Sequence, residues 1–520
     1  MKRHITWSML IAMLIVVGLV GLADAQQPRN GGTLRVAWEQ DVTGFDPHSS
    51  PGLQVQYIAG NLFNSLVTID EHLNYVPELA ESWEAQDNGK VYVFRLHKGV
   101  KFHDGTDFDA AAVAWNFARI MDPEEQAFAK PFFEVIESVE PLDAHTVKFT
   151  LKYPTQTFLP TLAVYRVGFL IKSPTAYEKW GRKEAPLHPV GTGPFKLVKW
   201  ESNQIIVLEK NPDYFKTGLP YLDRIEFKIM KEGVTRATAL RAGEVDFVNY
   251  VPKEMIERLS KDAKLRVVQG PDTQNVNISF NLGKKPFDDL RVRQALGGYG
   301  IDRQVIAKTA LLGFGKPLWS FIPPGGKDHI DFGDEFAYNP QKAKALLKEA
   351  GFDEQNPLKY TIMTHGAEPS LPTIATIIKT QLAQIGVEVT VEVIDRPVFL
   401  KRLTTPVKTD RNWDQIVNLT GSALDAYSRS FILDSRGVNP FNHTDSRLDA
   451  LWDQLKMAPT PEEVSRLNQE IQRYLMQNMI AISATTLPFV QAARDYVQGY
   501  VFERGYKLRF VTSWLDRPQR

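Results

Sequence analysis

One segment limits the fold of this chain more than any other: "LKYTIMT" (358–364), the apolar stretch from Ile374 to Ile385, and "VEVTVEV" (387–393). The outer two pieces alternate apolar and polar residues with the period of a half-buried strand, and the middle piece reads as a helix. Strand, helix, strand in that order predicts parallel pairing through a crossover. Just upstream, "YNPQKAKALLKEAGF" (338–352) predicts a self-contained helix. Asn339 is its N-cap, Pro340 its first residue, and Ala343, Leu346, Leu347 and Ala350 share one face before Gly351 ends it.

The first half has a different texture. "GGTLRVAW" (31–38) predicts a strand, and "SWEAQDNGKVYVFRL" (82–96) a hairpin turning at Asp87-Asn88-Gly89. "PLDAHTVKFTLKYP" (141–154) predicts a second hairpin, and "GTGPFKLVKWESNQIIVLEKNPDYF" (191–215) two more strands. The Gly-Thr-Gly there is read as a turn, because Pro194 and a strand follow where a phosphate loop needs a helix. At 520 residues the chain has length for two or three domains of ~100–200 residues. It has neither a fixed-period repeat nor a low-complexity linker, which suggests domains joined by several crossings.

The N-terminus is set apart. Lys2, Arg3 and His4 precede an apolar run from Leu10 to Leu22 that ends in Ala23-Asp24-Ala25. This is the pattern of a secretory signal cut after Ala25, with an uncleaved anchor as the alternative. The remaining chain would hold 59 basic and 60 acidic residues, a net charge of −1. Such a chain lacks the field that gathers nucleic acid or anionic lipid. There is no cysteine, which removes thiolate nucleophiles, Cys-ligated zinc, iron–sulfur clusters and a lipid-modified N-terminal Cys. A chain of this length has core enough without disulfides, and a Gram-negative periplasm is the expected compartment.

The densest cluster of chemistry-bearing residues is "KGVKFHDGTDFDAAAVAWNF" (98–117). A calcium loop starting at Asp104 would need Gly at its sixth position and Glu at its twelfth, where Trp115 stands. A His-Asp metal site would need further histidines nearby. The residues read better as a turn at Asp104-Gly105 and a helix capped by Asp109, with Val113, Phe117, Ile120 and Met121 on its apolar stripe and Pro123 at its end. H-E-x-x-H, G-x-S-x-G and G-x-x-x-x-G-K-[ST] are absent, and no two histidines stand at i+3 or i+4. No catalytic residue, metal site or cofactor is expected.

These same residues carry a family likeness. "LAESWEAQDNGKVYVFRLHKGVKFHDGTDFDAAAVAWNF" (79–117) closely resembles the signature region of the extracellular solute-binding proteins of family 5, the dipeptide-, oligopeptide- and nickel-binding proteins of ABC importers. Ordered matches follow at 34–48, 191–215, 240–248, 277–303 and 338–352. The resemblance implies an α/β fold: a periplasmic-binding-protein-like two-lobe clamshell with an extra α+β domain on the first lobe. Lobe I would take 31–63, 190–283 and 484–520, the extra domain 64–189, and lobe II 284–483. The implied function is capture of a small organic solute, peptide-like or related, in the interlobe cleft, and its delivery to ABC permease subunits in the inner membrane. The protein would be a monomer with no nucleic-acid partner. A receptor for a non-peptide cargo (opine, sugar or metal chelate) is the alternative; a periplasmic hydrolase or a chaperone-like protein is a more distant one.

In the peptide-binding members a lobe II loop supplies an Asp that pairs with the ligand's ammonium group. That loop resembles "NLTGSALDAYSRSF" (418–431), where the Asp position falls on Ser422, the aromatic before it on Leu419, and Asp425 lies three residues on. Ser422 brings no charge to a buried ammonium, which puts a plain peptide cargo in doubt unless Asp425 takes the role. Asp425 has a second reading as a cap of the following turn. The nickel branch would need a His, and His443 in "NPFNHTDS" reads as part of a surface turn. The ligand-contact candidates are Thr43, Phe45 and Ser49 in the first loop, with Arg402, Leu419, Ser422, Asp425, Tyr427 and Arg429 from lobe II. Arg429 could grip a carboxylate with two parallel bonds.

Overall fold

The computed structural model describes residues 27–50, 52–163, 169–270, 274–404, 411–421, 424–503 and 507–517. The expected signal segment, 1–25, lies outside the described residues, as does Ser422. Among the described residues no helix is long and apolar enough to cross a membrane.

The strand–helix–strand unit forms as its pattern requires. Lys359–His365 and Glu388–Ile394 pair in parallel, in register from Lys359↔Glu388 to His365↔Ile394, around the helix Ser370–Ala383. The helix buries Leu371, Ile374, Ala375, Ile378 and Leu382 into the core between the two layers. Gln415–Ile416 adds a third parallel strand. The helix Pro340–Glu349 is capped by the Asn339 side chain, which accepts from the Lys342 amide, and it buries Ala343 and Leu347.

The first half builds two further bodies. A seven-stranded mixed sheet has Thr33–Trp38 at its centre, parallel to Arg224–Ile229 on one side and Phe247–Val248 on the other. Its two faces carry separate cores, one around Trp38, Phe63 and Phe227, the other around Leu240, Ile256 and Leu259. The middle body is a four-stranded antiparallel sheet made from both predicted hairpins, Ala80–Gln86 with Val91–Leu96 and Ile136–Asp143 with Thr146–Leu151. The helix Ala110–Met121 covers it, packing Val113 and Ile120 against Phe94, Phe133 and Phe149.

The Gly-Thr-Gly turn joins these two bodies by close approach. A Cβ on Gly191 would stand 2.3 Å from the Leu62 carbonyl oxygen, and one on Gly193 would stand 2.4 Å from the Leu62 carbonyl carbon. Only glycine fits there. Glu78 adds a buried polar tie: its carboxylate accepts from the Ser65 amide and hydroxyl, from Asn64 and, at 2.8 Å, from Arg509 near the C-terminus. Burial alone would raise this carboxyl, but Arg509, Lys216 and Lys507 hold it below its ordinary value.

The chain leaves the seven-stranded sheet after Leu265–Gln269, enters the second lobe at Asn275–Asn277, and returns through Ser483–Thr486 into Val490–Arg494. At this double crossing the Gly270 amide donates to the Phe489 carbonyl at 2.9 Å, and the Leu487 amide to the Gln274 carbonyl at 3.0 Å. Two strands side by side make a joint that bends more readily than either packed core. The lobes touch elsewhere through a few bonds, among them Tyr250 to Glu368 at 3.0 Å and Lys253 to Ser370 at 3.3 Å.

Candidate ligand-binding site

The segment 418–431 starts deep in the second lobe and ends against the middle body. Asn418–Thr420 pairs with Asn275–Asn277, the strand that carries one of the two crossings. Four residues beyond it, Leu424 is buried within the apolar core of the middle body. The Asp425 carboxylate then accepts from the Ser428 amide at 2.7 Å, while the Ser428 hydroxyl donates to the Asp425 carbonyl at 2.7 Å. This Asx-type turn starts the 3₁₀ turn Tyr427–Arg429 and the short helix Ser430–Leu433. Arg429 is buried and donates back to the Gly421 carbonyl.

The turn forms one wall of a cavity of about 740 Å³, within the ~300–1,000 Å³ span of small-molecule sites. From the second lobe come Lys327, Asp425, Tyr427, Arg429, Phe431 and Asp434; from the middle body come Leu73, Tyr75, Phe128 and Phe132. Burial pushes the Asp425 carboxyl above its ordinary value, against the opposing pull of the Ser428 bonds and Lys327. Burial also raises the Tyr75 hydroxyl, and the Asp425 charge adds to it across the seam. Tyr427 is raised by burial and opposed by hydrogen bonds with Thr157 and Thr161 of the middle body. At the rim Arg436 bonds Asp434 and Asp453, each at 2.7 Å, and Lys456 stands 3.5 Å from Asp434. The half-buried Asp425 carboxylate, sharing the cavity with Lys327 and Arg429 while the buried Asp434 is taken by Arg436 and Lys456, suits a ligand carrying both an ammonium and a carboxylate, because charge-assisted hydrogen bonds are the strong ones.

Of the nine residues nominated from sequence, Asp425, Tyr427 and Arg429 line this cavity together. Leu419 is part of the strand described above and packs on the second lobe's core. Arg402 bonds Glu392 at 2.8 Å and the Asn412 carbonyl at 2.6 Å, away from the cavity. Thr43 and Ser49 are exposed on the first loop. Phe45 is 2% exposed and packs edge-on to Trp200 at 5.4 Å, so its ring serves the core of the seven-stranded sheet. Ser422 lies outside the described residues. His443, expected in a surface turn, is buried instead: Asn439 folds back to donate to its carbonyl at 2.7 Å and accept from its amide. Sequence reasoning did not find Tyr75, Phe128, Phe132, Lys327 or Phe431. Only the aromatic density of "FAKPFF" (128–133) was visible there.

The first loop is held by charge. Asp46 is buried between Arg119 and Lys172, with the Lys172 ammonium 2.5 Å away. Burial would raise its carboxyl, but Lys172 and Arg119 outweigh that and hold it far below the usual range. The residues of 98–117 that suggested chemistry are likewise occupied. The Gly191 amide donates to His103 Nδ1 at 3.3 Å, and His103 Nε2 faces the Gly193 carbonyl at 3.0 Å, which fixes a neutral ring with its proton on Nε2. Burial pushes the ring down to about 4. Asp104 accepts from Thr106 and Ser173, Asp107 pairs with Lys101 at 2.5 Å, and Asp109 caps its helix by accepting from the Ala112 amide at 2.8 Å.

The comparisons with known proteins agree with this architecture. The profile of "Bacterial extracellular solute-binding proteins, family 5 Middle" matches residues 74–436. The glutathione-binding protein GsiB of Pectobacterium atrosepticum is 35% identical over 363 residues, 69% of this chain and 69% of that protein. Among solved structures, the oligopeptide-binding protein AppA of Bacillus subtilis, in complex with a nonapeptide, is 26% identical with a TM-score of 0.80, over 94% of this chain and 100% of that one. The binding protein AgaA of A. tumefaciens, in complex with agropinic acid, is also 26% identical with a TM-score of 0.80, over 94% and 99%.

Proposed function

Because this chain belongs to family 5 of the bacterial extracellular solute-binding proteins, we propose that it captures a peptide-like solute in the cavity beside Asp425 and Arg429 and presents it to an ABC permease. One observation carries the placement. The nominated loop and the middle body line one cavity of about 740 Å³, and the crossings from Leu265–Gln269 to Asn275–Asn277 and from Ser483–Thr486 to Val490–Arg494 link the lobes that contain these walls. A ligand touching both walls stabilises the closed arrangement by its difference in affinity for closed and open forms. In this reading Asp425 receives the ammonium, which also relieves the cost of its burial, and Arg429 or Lys327 receives a carboxylate. The closed form is what the permease reads.

The division into lobe I, an extra domain (64–189) and lobe II is proposed as the set of moving parts, with the lobe I–lobe II boundaries, expected at 283 and 484, drawn instead at the double crossing, because Asn275–Asn277 and Ser483–Thr486 pair within the second lobe. Residues 1–25 are proposed as a cleaved signal that sends a monomer to the periplasm. The protein turns nothing over; its output is capture and delivery. A non-peptide cargo is the second reading, supported by the likeness to AgaA and by the Ser428 bonds that already occupy part of Asp425.

The test is recovery of the cargo. Mass spectrometry of solute released on denaturing the purified protein should identify a compound with an ammonium and a carboxylate. Adding that compound back should stabilise the protein by ~2.7 kcal/mol at 100 times its Kd, without consumption. Release of an opine or sugar would favour the second reading. Disappearance of the added compound would make the protein an enzyme.

A further inference from the structure

The two walls of the cavity differ in chemistry. The second lobe supplies Lys327, Asp425, Arg429, Asp434, Arg436 and Lys456, nearly all of the charge. The middle body supplies apolar and aromatic side chains, and its one charged contribution, Glu134, is exposed. Three rings run across the seam. Phe128 lies 6.0 Å from Phe132, and Phe132 meets Phe431 of the second lobe edge-on at 5.7 Å. All three line the cavity and none is fully buried, so the shelf they form keeps apolar surface open to whatever enters.

Building on the reading above, we propose that the cargo carries a bulky aliphatic or aromatic group beside its charged end, and that this group lies on the Phe128–Phe132–Phe431 shelf. Burial of apolar area is the favourable term that this wall can supply, and a ligand without an apolar group cannot collect it. A tripeptide such as glutathione, with two carboxylates, an ammonium and one small thiol side chain, leaves the rings uncovered. The middle body therefore selects the cargo, while the 424–431 loop anchors it. The Phe132–Phe431 contact joins the two walls, so a group resting on it adds to closure as well as to affinity.

The experiment is calorimetric titration of the full mature chain with peptides of equal length, one bearing Phe or Leu and one all glycine, and with reduced glutathione. The Phe- or Leu-bearing peptide should bind at least tenfold more tightly than the glycine peptide and than glutathione. Phe132→Ala should bring that ratio towards one, and Phe132→Leu, which keeps an apolar surface and guards against a folding defect, should keep most of it. Equal affinity for the glycine peptide or for glutathione, or an unchanged ratio in Phe132→Ala, overturns the inference while the peptide-receptor reading stands. Binding of none of these compounds overturns both.

Discussion

Two short stretches of this chain teach opposite lessons about where chemistry resides. "FHDGTDFDA" (102–110) holds a histidine and three aspartates, and contacts within the chain engage each of them. "LDAYSRSF" (424–431) holds one aspartate and one arginine, and both line a cavity between parts of the molecule able to separate. A dense cluster of acids in sequence measures how many turns and caps must be made. What makes a group available to a ligand is placement on a surface shared by two bodies, where neither body alone completes its environment.

The sharpest way to break this contrast is to damage the first stretch and watch the second. Phe108 is 1% exposed in the middle body's core, so Phe108→Ala should cost about 3–5 kcal/mol of stability in a denaturant titration. Ligand affinity of the folded fraction should not change. Lost affinity in a protein that remains folded would mean that 102–110 belongs to the site after all.

Next in size is a dependence on pH. His103 titrates at about 4 in the folded protein against 6.5 in the unfolded chain. Between those values the unfolded chain binds the proton and the folded one does not, so acidification draws the equilibrium towards unfolding. From this one residue the loss approaches roughly 3 kcal/mol over that window. His48, pushed down to about 3 by burial among Asp46, Arg119 and Lys172, acts in the same direction. Melting temperature should fall steadily as the pH drops from 7 to 4.5, and His103→Gln should flatten the slope. A slope unchanged in that variant would remove His103 from the account. Asp109→Ala is smaller still: loss of the cap should cost about 1 kcal/mol, read as a lower denaturant midpoint with no change in slope.

Much of the fold was legible because local rules and tertiary packing agreed. The alternation of 358–364 and 387–393, the Asn339-Pro340 start, the Asp87-Asn88-Gly89 turn and the Asp109 cap all describe what the chain does within a few residues of itself. Distances across the fold were not legible. Phe45 was nominated from a loop, yet Trp200 claims its ring from 155 residues away; Arg402 was nominated for its charge, yet Glu392 takes it. The shelf of Phe128 and Phe132 could not be read, because an aromatic pair facing a cavity has the same local pattern as one facing a core. What nominated Asp425, Tyr427 and Arg429, which line the cavity together, was the family likeness of their loop, not any property of the residues taken singly.

The smallest stability effect discriminates the two stretches best. Asp425 differs from His103 in the sign of its linkage: burial raises its carboxyl in the folded protein, so the folded chain takes up the proton first as pH falls, and that step adds stability. Asp425→Asn keeps an oxygen to accept from the Ser428 amide at the head of the 3₁₀ turn and removes the buried charge. Its stability at neutral pH should therefore stay within about 0.5 kcal/mol of the parent or rise slightly, and the acid-side gain should vanish. Affinity for a ligand bearing an ammonium group should nevertheless fall at least tenfold, since the charge-assisted bond is gone. A residue present only to cap a turn would show neither the lost affinity nor the reversed pH response. A variant that binds as tightly as the parent would return Asp425 to the same class as Asp109.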